Sequence, residues 1–305
     1  MTRDRPWLHR QTPRLTAAVI PLVMAISAGA QTLDSALIAA IRRGPSSATL
    51  RGESTTVTMV GSPTLPLLEV RINGRGPYRL LIDIGSNVIL LRRDVVDATS
   101  TTVLVERATS DVIRIDSIAI GGAVFTGVTG ASYDQLDVDG VLGFNLLRTF
   151  AFTMDYPGRL FSFHRDSLPT PNGRDVLAYE VIGRMPFVRA ITGTDTLLLN
   201  FDTGAAEWMT VPLAWRDSLR WEAEPSGGPT VSNNQTGATR VLVARLKAPL
   251  RIGDVIIERP RVYLNPDADG AWLGSGLLQH FTLTFDPRHG RVKLAPASDK
   301  TIKAP

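Results

Sequence analysis

Each half of this chain contains one short Asp-x-Gly turn, set at the end of a strongly apolar strand. The first reads Tyr78-Arg79-Leu80-Leu81-Ile82-Asp83-Ile84-Gly85-Ser86, and the second Leu197-Leu198-Leu199-Asn200-Phe201-Asp202-Thr203-Gly204-Ala205. A carboxylate that ends a buried strand is costly unless another group shares its charge or its proton. Two of them in matching settings predict one site built jointly by both halves, with a proton held between Asp83 and Asp202.

The match extends well past the turns. Val141-Leu142-Gly143-Phe144-Asn145-Leu146-Leu147-Arg148-Thr149-Phe150, then Asp155, aligns without a gap to Trp272-Leu273-Gly274-Ser275-Gly276-Leu277-Leu278-Gln279-His280-Phe281, then Asp286. Gly158-Arg159 and Gly290-Arg291 follow, and Ile120-Gly121-Gly122 corresponds to Ile252-Gly253-Asp254. The copies are 119 residues apart at the Asp (83 to 202) and 131 apart at the Leu-Gly (142 to 273), so the second copy carries an insertion between those points. A hairpin or loop can absorb it. Fixed-spacing similarity of this kind predicts an internally duplicated architecture.

At these residues each half resembles one lobe of the pepsin and retropepsin clan of aspartic proteases. That clan carries an apolar strand, Asp-Thr-Gly-Ser/Thr/Ala, and later two apolar residues and a Gly. The corresponding pieces are Asp83-Ile84-Gly85-Ser86 with Val141-Leu142-Gly143, and Asp202-Thr203-Gly204-Ala205 with Trp272-Leu273-Gly274. The resemblance covers roughly residues 55–165 and 178–295. It implies an all-β fold of two similar β-barrel lobes with a cleft between them, an aspartic endopeptidase acting on polypeptides, and no cofactor or metal. It makes Asp83 and Asp202 the catalytic pair, their turns the active-site loops, and Gly143 and Gly274 the glycines that close the fold around those loops. Both halves lie in one chain, so a monomer completes the site.

The chemistry explains why such a site needs two carboxylates. Peptide hydrolysis without a metal or a covalent intermediate requires an activated water and a proton donor, and a pair sharing one proton supplies both. Like charges at close range cannot both ionise, so the pair titrates as a unit with one value raised. Gly85 and Gly204 allow backbone to approach the carboxylates and direct N–H groups at them. The Ser86 hydroxyl is placed to donate to Asp83, whereas Ala205 offers Asp202 nothing equivalent. Asp83 is therefore expected to be the more acidic member, with the proton on Asp202.

One departure stands out: Ile84 occupies the position where the clan has Thr. In that clan, two threonine hydroxyls bond across to the opposite loop, and here only Thr203 can do so. The departure motivates a second reading, an exported peptide-binding protein of the same fold with weakened or absent catalysis. A purely structural exported β protein is a third. A substrate-covering hairpin is expected over Thr102–Ile115, with its tip at 107–111, although no aromatic residue lies there.

Frequent turn signals between short runs rich in Val, Ile, Leu and Thr support β-rich lobes independently of the resemblance. Leu33–Ile41 has helical apolar spacing. The polar stretch His164–Asp175 reads as a linker, and Pro225–Thr239, just before Arg240–Ala244, as a polar loop and the second lobe's counterpart of a flexible hairpin. The chain thus divides into a leader (1–30), a helix and connector (31–54), a first lobe (55–165), a linker (166–177), a second lobe (178–297) and a tail (298–305). The leader has Arg3, Arg5, Arg10 and Arg14 before an apolar stretch that ends in Ala28-Gly29-Ala30, the pattern of a secretory signal. Export to a periplasm or the exterior is expected, with membrane attachment only if the leader is retained.

Those four Arg residues, set against Asp4, account for three of the four net positive charges. The remainder is close to neutral and has no basic block, which argues against nucleic-acid binding. With no cysteine in the chain, thiolate chemistry and disulfides are excluded. His164, His280 and His289 lack metal-ligand spacing, and no Gly-x-Ser-x-Gly elbow occurs. The tryptophans Trp208, Trp215, Trp221 and Trp272 read as core or cleft-wall residues.

Overall fold

The computed structural model of the protein describes residues 35–107, 110–233 and 237–304. The expected leader lies outside the described residues, as do Ala108 and Thr109 in the tip of the first hairpin. The fold is all-β, with two barrel lobes. In the first lobe six strands close on themselves, in the order Ala123–Ser132, Leu90–Leu91, Gly140–Gly143, Arg75–Asp83, Leu65–Ile72, Val112–Ile120 and back to Ala123–Ser132. The second lobe repeats the central order with Arg261–Asn265, Met209–Pro212, Ala271–Gly274, Asp195–Asp202 and Met185–Thr192, and stays open as a half-barrel.

Both Asp-ending strands pair in parallel with the strand that carries the later Gly. Asp83 lies opposite Gly143 and Asp202 opposite Gly274. The motifs separated in sequence are thus neighbours in register. Each apolar run is long because its strand is central and covered on both faces.

A third sheet joins the lobes, in the order Val176–Ala178, Arg291–Pro296, Phe281–Asp286, Ala151–Asp155, Leu160–His164 and Ser54–Thr58. Its register reveals a local two-fold axis. Phe152 pairs with Phe285 and Met154 with Leu283, two pairs that the 131-residue repeat interchanges, and Thr153 pairs with its own counterpart Thr284. Their hydroxyl oxygens are 3.0 Å apart. On this sheet Phe285 stacks on Phe152 at 5.0 Å and meets Phe201, the residue before Asp202, edge-on at 5.1 Å. One continuous core therefore runs through both lobes, so their relative placement follows from packing rather than from a hinge.

The expected helix forms at Ser35–Arg43. Ile41 and Leu37 pack on a second apolar cluster with Val88, Leu90 and Val141, on the outer face of the first lobe. The stretch read as a linker is tied down rather than free: the Leu168 amide donates to Asp286 and Arg291 donates to the Leu168 carbonyl.

The polar stretch Pro225–Thr239 lies in the hairpin expected there, with more of it in strands than a polar loop implies. Ser226–Asn233 and Gly237–Arg245 form an antiparallel hairpin. Much of the second copy's insertion lies here, since the corresponding first-lobe hairpin, Thr102–Val105 with Val112–Ile120, has a shorter outer strand. That first hairpin is anchored at Asp111, which is 3% exposed and accepts from the Arg107 amide, the Ser132 hydroxyl and Arg93.

Candidate active site

Asp83 and Asp202 meet at the lobe junction, each carboxyl lying against the glycine of the opposite turn. The glycines following them are forced by sterics rather than by backbone angle. A Cβ on Gly85 would lie 2.5 Å from the Asp202 carboxyl carbon, and one on Gly204 would lie 2.8 Å from that of Asp83. Each glycine therefore makes room for the carboxylate of the opposite lobe. The later glycines are equally constrained: a Cβ on Gly143 or Gly274 would lie 2.2 Å from the Val88 or Glu207 carbonyl oxygen.

Both residues are half-buried, and desolvation of the carboxyls is the main cause of their raised pKa values. Burial pushes Asp83 up to about 6, against the pull of the Gly85, Ser86 and Gly204 amides and of the Asp202 carboxyl. Asp202 is raised well above the ordinary carboxylate range by burial first, then by the charge of Asp83, then by that of Glu207. The Gly204 and Ala205 amides, each 3.1 Å from Asp202 Oδ1, partly counter this. Both values move up together as a coupled pair, and the donor that the sequence offered for lowering Asp83 is not in place. The Ser86 hydroxyl turns away from Asp83, lying 3.3 Å from the Val88 amide and 3.5 Å from its carbonyl oxygen. A serine in a tight turn readily engages the backbone two residues on, and here that local bond prevails. Glu207, a third carboxylate near the pair that the sequence reading missed, adds to the rise at Asp202.

The cross-lobe bond is one-sided. Thr203 Oγ1 donates to the Ile82 carbonyl at 2.7 Å and accepts from the Ile84 amide at 3.0 Å. Ile84 is fully buried and has nothing to return. Replacing Thr203 with Val orphans both backbone groups. Each orphaned group is expected to cost about 1–3 kcal/mol, which a lower urea midpoint at unchanged m-value would register.

Two further residues escaped the sequence reading. Ser275 follows the second Leu-Gly, where the first copy has Phe144, and its hydroxyl donates to the Thr203 carbonyl at 2.7 Å. Tyr156 lies 3.1 Å from that hydroxyl. The only signal for Ser275 in the sequence was that one repeat position is polar in one copy and aromatic in the other. Of the four tryptophans, Trp208 is buried against His280 at 5.4 Å, in keeping with a structural role for both.

The all-β fold thus brings two half-buried carboxyls face to face, one from each copy of the repeat. Residues 68–146 match the family model described as aspartyl protease, a stretch that includes Asp83, its turn and Gly143 and ends before Asp202. The similarity suggests a protease. No curated protein sequence matches the chain.

Proposed function

We propose that the chain is an exported aspartic endopeptidase, a single chain of two retropepsin-like lobes that acts as a monomer on polypeptide substrates. The observation that carries this reading is the facing pair Asp83 and Asp202, one from each copy of the repeat, each carboxyl packed against the turn of the other. The family match over the first copy and the basic-apolar leader support it. In the proposed reaction ionised Asp83 takes a proton from water as the water oxygen bonds to the scissile carbonyl carbon. Protonated Asp202 gives its proton to the carbonyl oxygen, yielding a neutral gem-diol. Collapse breaks the C–N bond, the Asp83 proton passes to the departing nitrogen, and Asp202 regains a proton from a gem-diol hydroxyl. Backbone amides from both turns hold the pair in place throughout.

This assignment of roles sets the pH profile. Activity needs Asp83 ionised and Asp202 protonated, so it rises as pH increases through about 6 and falls where Asp202 ionises. The test is cleavage of an unstructured polypeptide across pH, with and without a statine-containing peptide that mimics the gem-diol. A bell with an acid limb near pH 6, abolished by the statine peptide, is expected. Absence of cleavage at every pH rejects the reading. The one-sided cross-lobe bond at Ile84 favours the second reading, a peptide-binding protein. In that case the statine peptide binds and no substrate is cut.

A further inference from the structure

We propose that Tyr156 and Ser275 are positioning residues for Asp202, an inter-lobe brace that takes over the half of the cross-lobe bond missing at Ile84. The role belongs to the proteolysis proposed above. Under the two-fold axis, the counterparts of Ile82 and Ile84 are Phe201 and Thr203. A hydroxyl at position 84 would therefore donate to the Phe201 carbonyl and accept from the Thr203 amide, mirroring what Thr203 does for the first turn. Ile84 can do neither, so no side chain at that position secures the Asp202 turn.

The turn is held from behind instead. Ser275 grips it twice: its amide donates to the Ala205 carbonyl and its hydroxyl to the Thr203 carbonyl, both at 2.7 Å. The single hydroxyl hydrogen of Ser275 is thereby committed, so the contact with Tyr156 at 3.1 Å has the phenol as donor. Tyr156 sits directly after the first-lobe strand Ala151–Asp155, so this chain of bonds crosses from one lobe to the other. Ser275 is fully buried and Tyr156 only 6% exposed, and burial keeps the phenol protonated as a donor.

The brace has no twin. Phe144 and Pro287 occupy the counterpart positions, so the first turn keeps only the amide contact, from Phe144 to the Ser86 carbonyl at 2.6 Å. Each turn thus receives a hydroxyl-based support of a different kind. The first is supported across the axis by Thr203, and the second from behind by Tyr156 through Ser275.

Tyr156→Phe removes one oxygen and keeps the ring in the core. It is expected to lower kcat about tenfold with KM unchanged, because small misplacements of a reacting group weigh heavily on rate. The basic limb of the pH profile should move up, since the Gly204 and Ala205 amides that favour ionised Asp202 lose their alignment. Adding Ile84→Thr should restore at least half of the lost logarithmic rate by supplying the bond across the axis. In ¹³C-carboxyl NMR the Asp202 midpoint should rise by about half a pH unit in Tyr156→Phe and return in the double variant. Rates within twofold of wild type, or a loss that Ile84→Thr leaves untouched, overturn the brace. If the wild type cleaves nothing, the protease reading fails on its own, and the Asp202 titration still decides whether the brace positions that carboxyl: a midpoint unchanged by Tyr156→Phe rejects it.

Discussion

Asp202→Asn is expected to abolish cleavage, lowering kcat by roughly 10³-fold or more, while making the protein more stable at neutral pH. The first effect follows from the proposed chemistry: an amide at that position neither donates a carboxylic proton nor takes one back. The second follows from burial. Both carboxyls lose much of their hydration at the lobe junction, and Asp83 alone is raised from 3.8 to about 6. Over that interval the folded chain binds more protons than the unfolded one, so stability is fully present below the unfolded value and is lost as pH rises through the folded one. The interval is about two pH units, equivalent to about 3 kcal/mol at about 1.4 kcal/mol each. Asp202 is raised further and adds to this loss in the same direction. An asparagine carries no charge to bury, so the variant should melt several degrees higher at pH 7 and differ little from wild type at pH 3. Asp83→Asn should behave alike in both assays. Cleavage within tenfold of wild type by either variant would contradict the proposed pair. An Asp202→Asn protein less stable at pH 7 than wild type would contradict the assigned cause of the raised values.

Gly85→Ala is the second change with a large expected effect. The added methyl would lie 2.5 Å from the Asp202 carboxyl carbon and 2.7 Å from its Oδ1. Neither partner can retreat easily. The Ile84 amide is bonded across the axis to Thr203, and Asp202 is held by the Gly204 and Ala205 amides. Relief must come from separating the two turns, which loosens the pair that the reaction needs close. We expect kcat to fall roughly 10²-fold and stability to drop by about 1–3 kcal/mol, the usual range for overpacking. Gly204→Ala should follow with a smaller effect, its methyl at 2.8 Å from the Asp83 carboxyl carbon. Gly270 serves as a control, because a Cβ there meets nothing within 4 Å and its backbone is not left-handed. Gly270→Ala should leave activity unchanged and stability within about 0.5 kcal/mol. A Gly85→Ala enzyme as active as that control would show that the turns have slack the packing does not reveal.

Other parts of the site rest on partners that are local or repeated. Asp83, Asp202, Gly85, Gly204, Gly143 and Gly274 could be picked out because each stands at a fixed place in a duplicated pattern. The structure brings them together through parallel pairing of the very strands that carry them. Ser86 was misjudged because two acceptors competed for one hydroxyl, and the winner depended on the turn's backbone rather than on residue type. At Pro225–Thr239 a hairpin was legible but the extent of its strands was not, because polar composition does not distinguish a strand from a loop. Tyr156 and Glu207 belong to no motif, and Ser275 stood out only as a polar residue where the other copy has Phe144, so their roles emerged only once the lobes were packed.

Strand, turn and glycine were legible because their causes are short-range: apolar runs make central strands, and a missing Cβ leaves room that any larger residue would fill. The internal duplication added the one long-range fact a linear chain can carry, that two similar halves exist to be paired. How they pair was settled by the joining sheet, whose aromatic core sets the two-fold axis between Thr153 and Thr284. That packing also made the two carboxyls unequal and placed a tyrosine of one lobe behind the turn of the other. Such relations span more than a hundred residues and depend on sheet twist and side-chain facing, quantities to which no stretch of ten residues is sensitive.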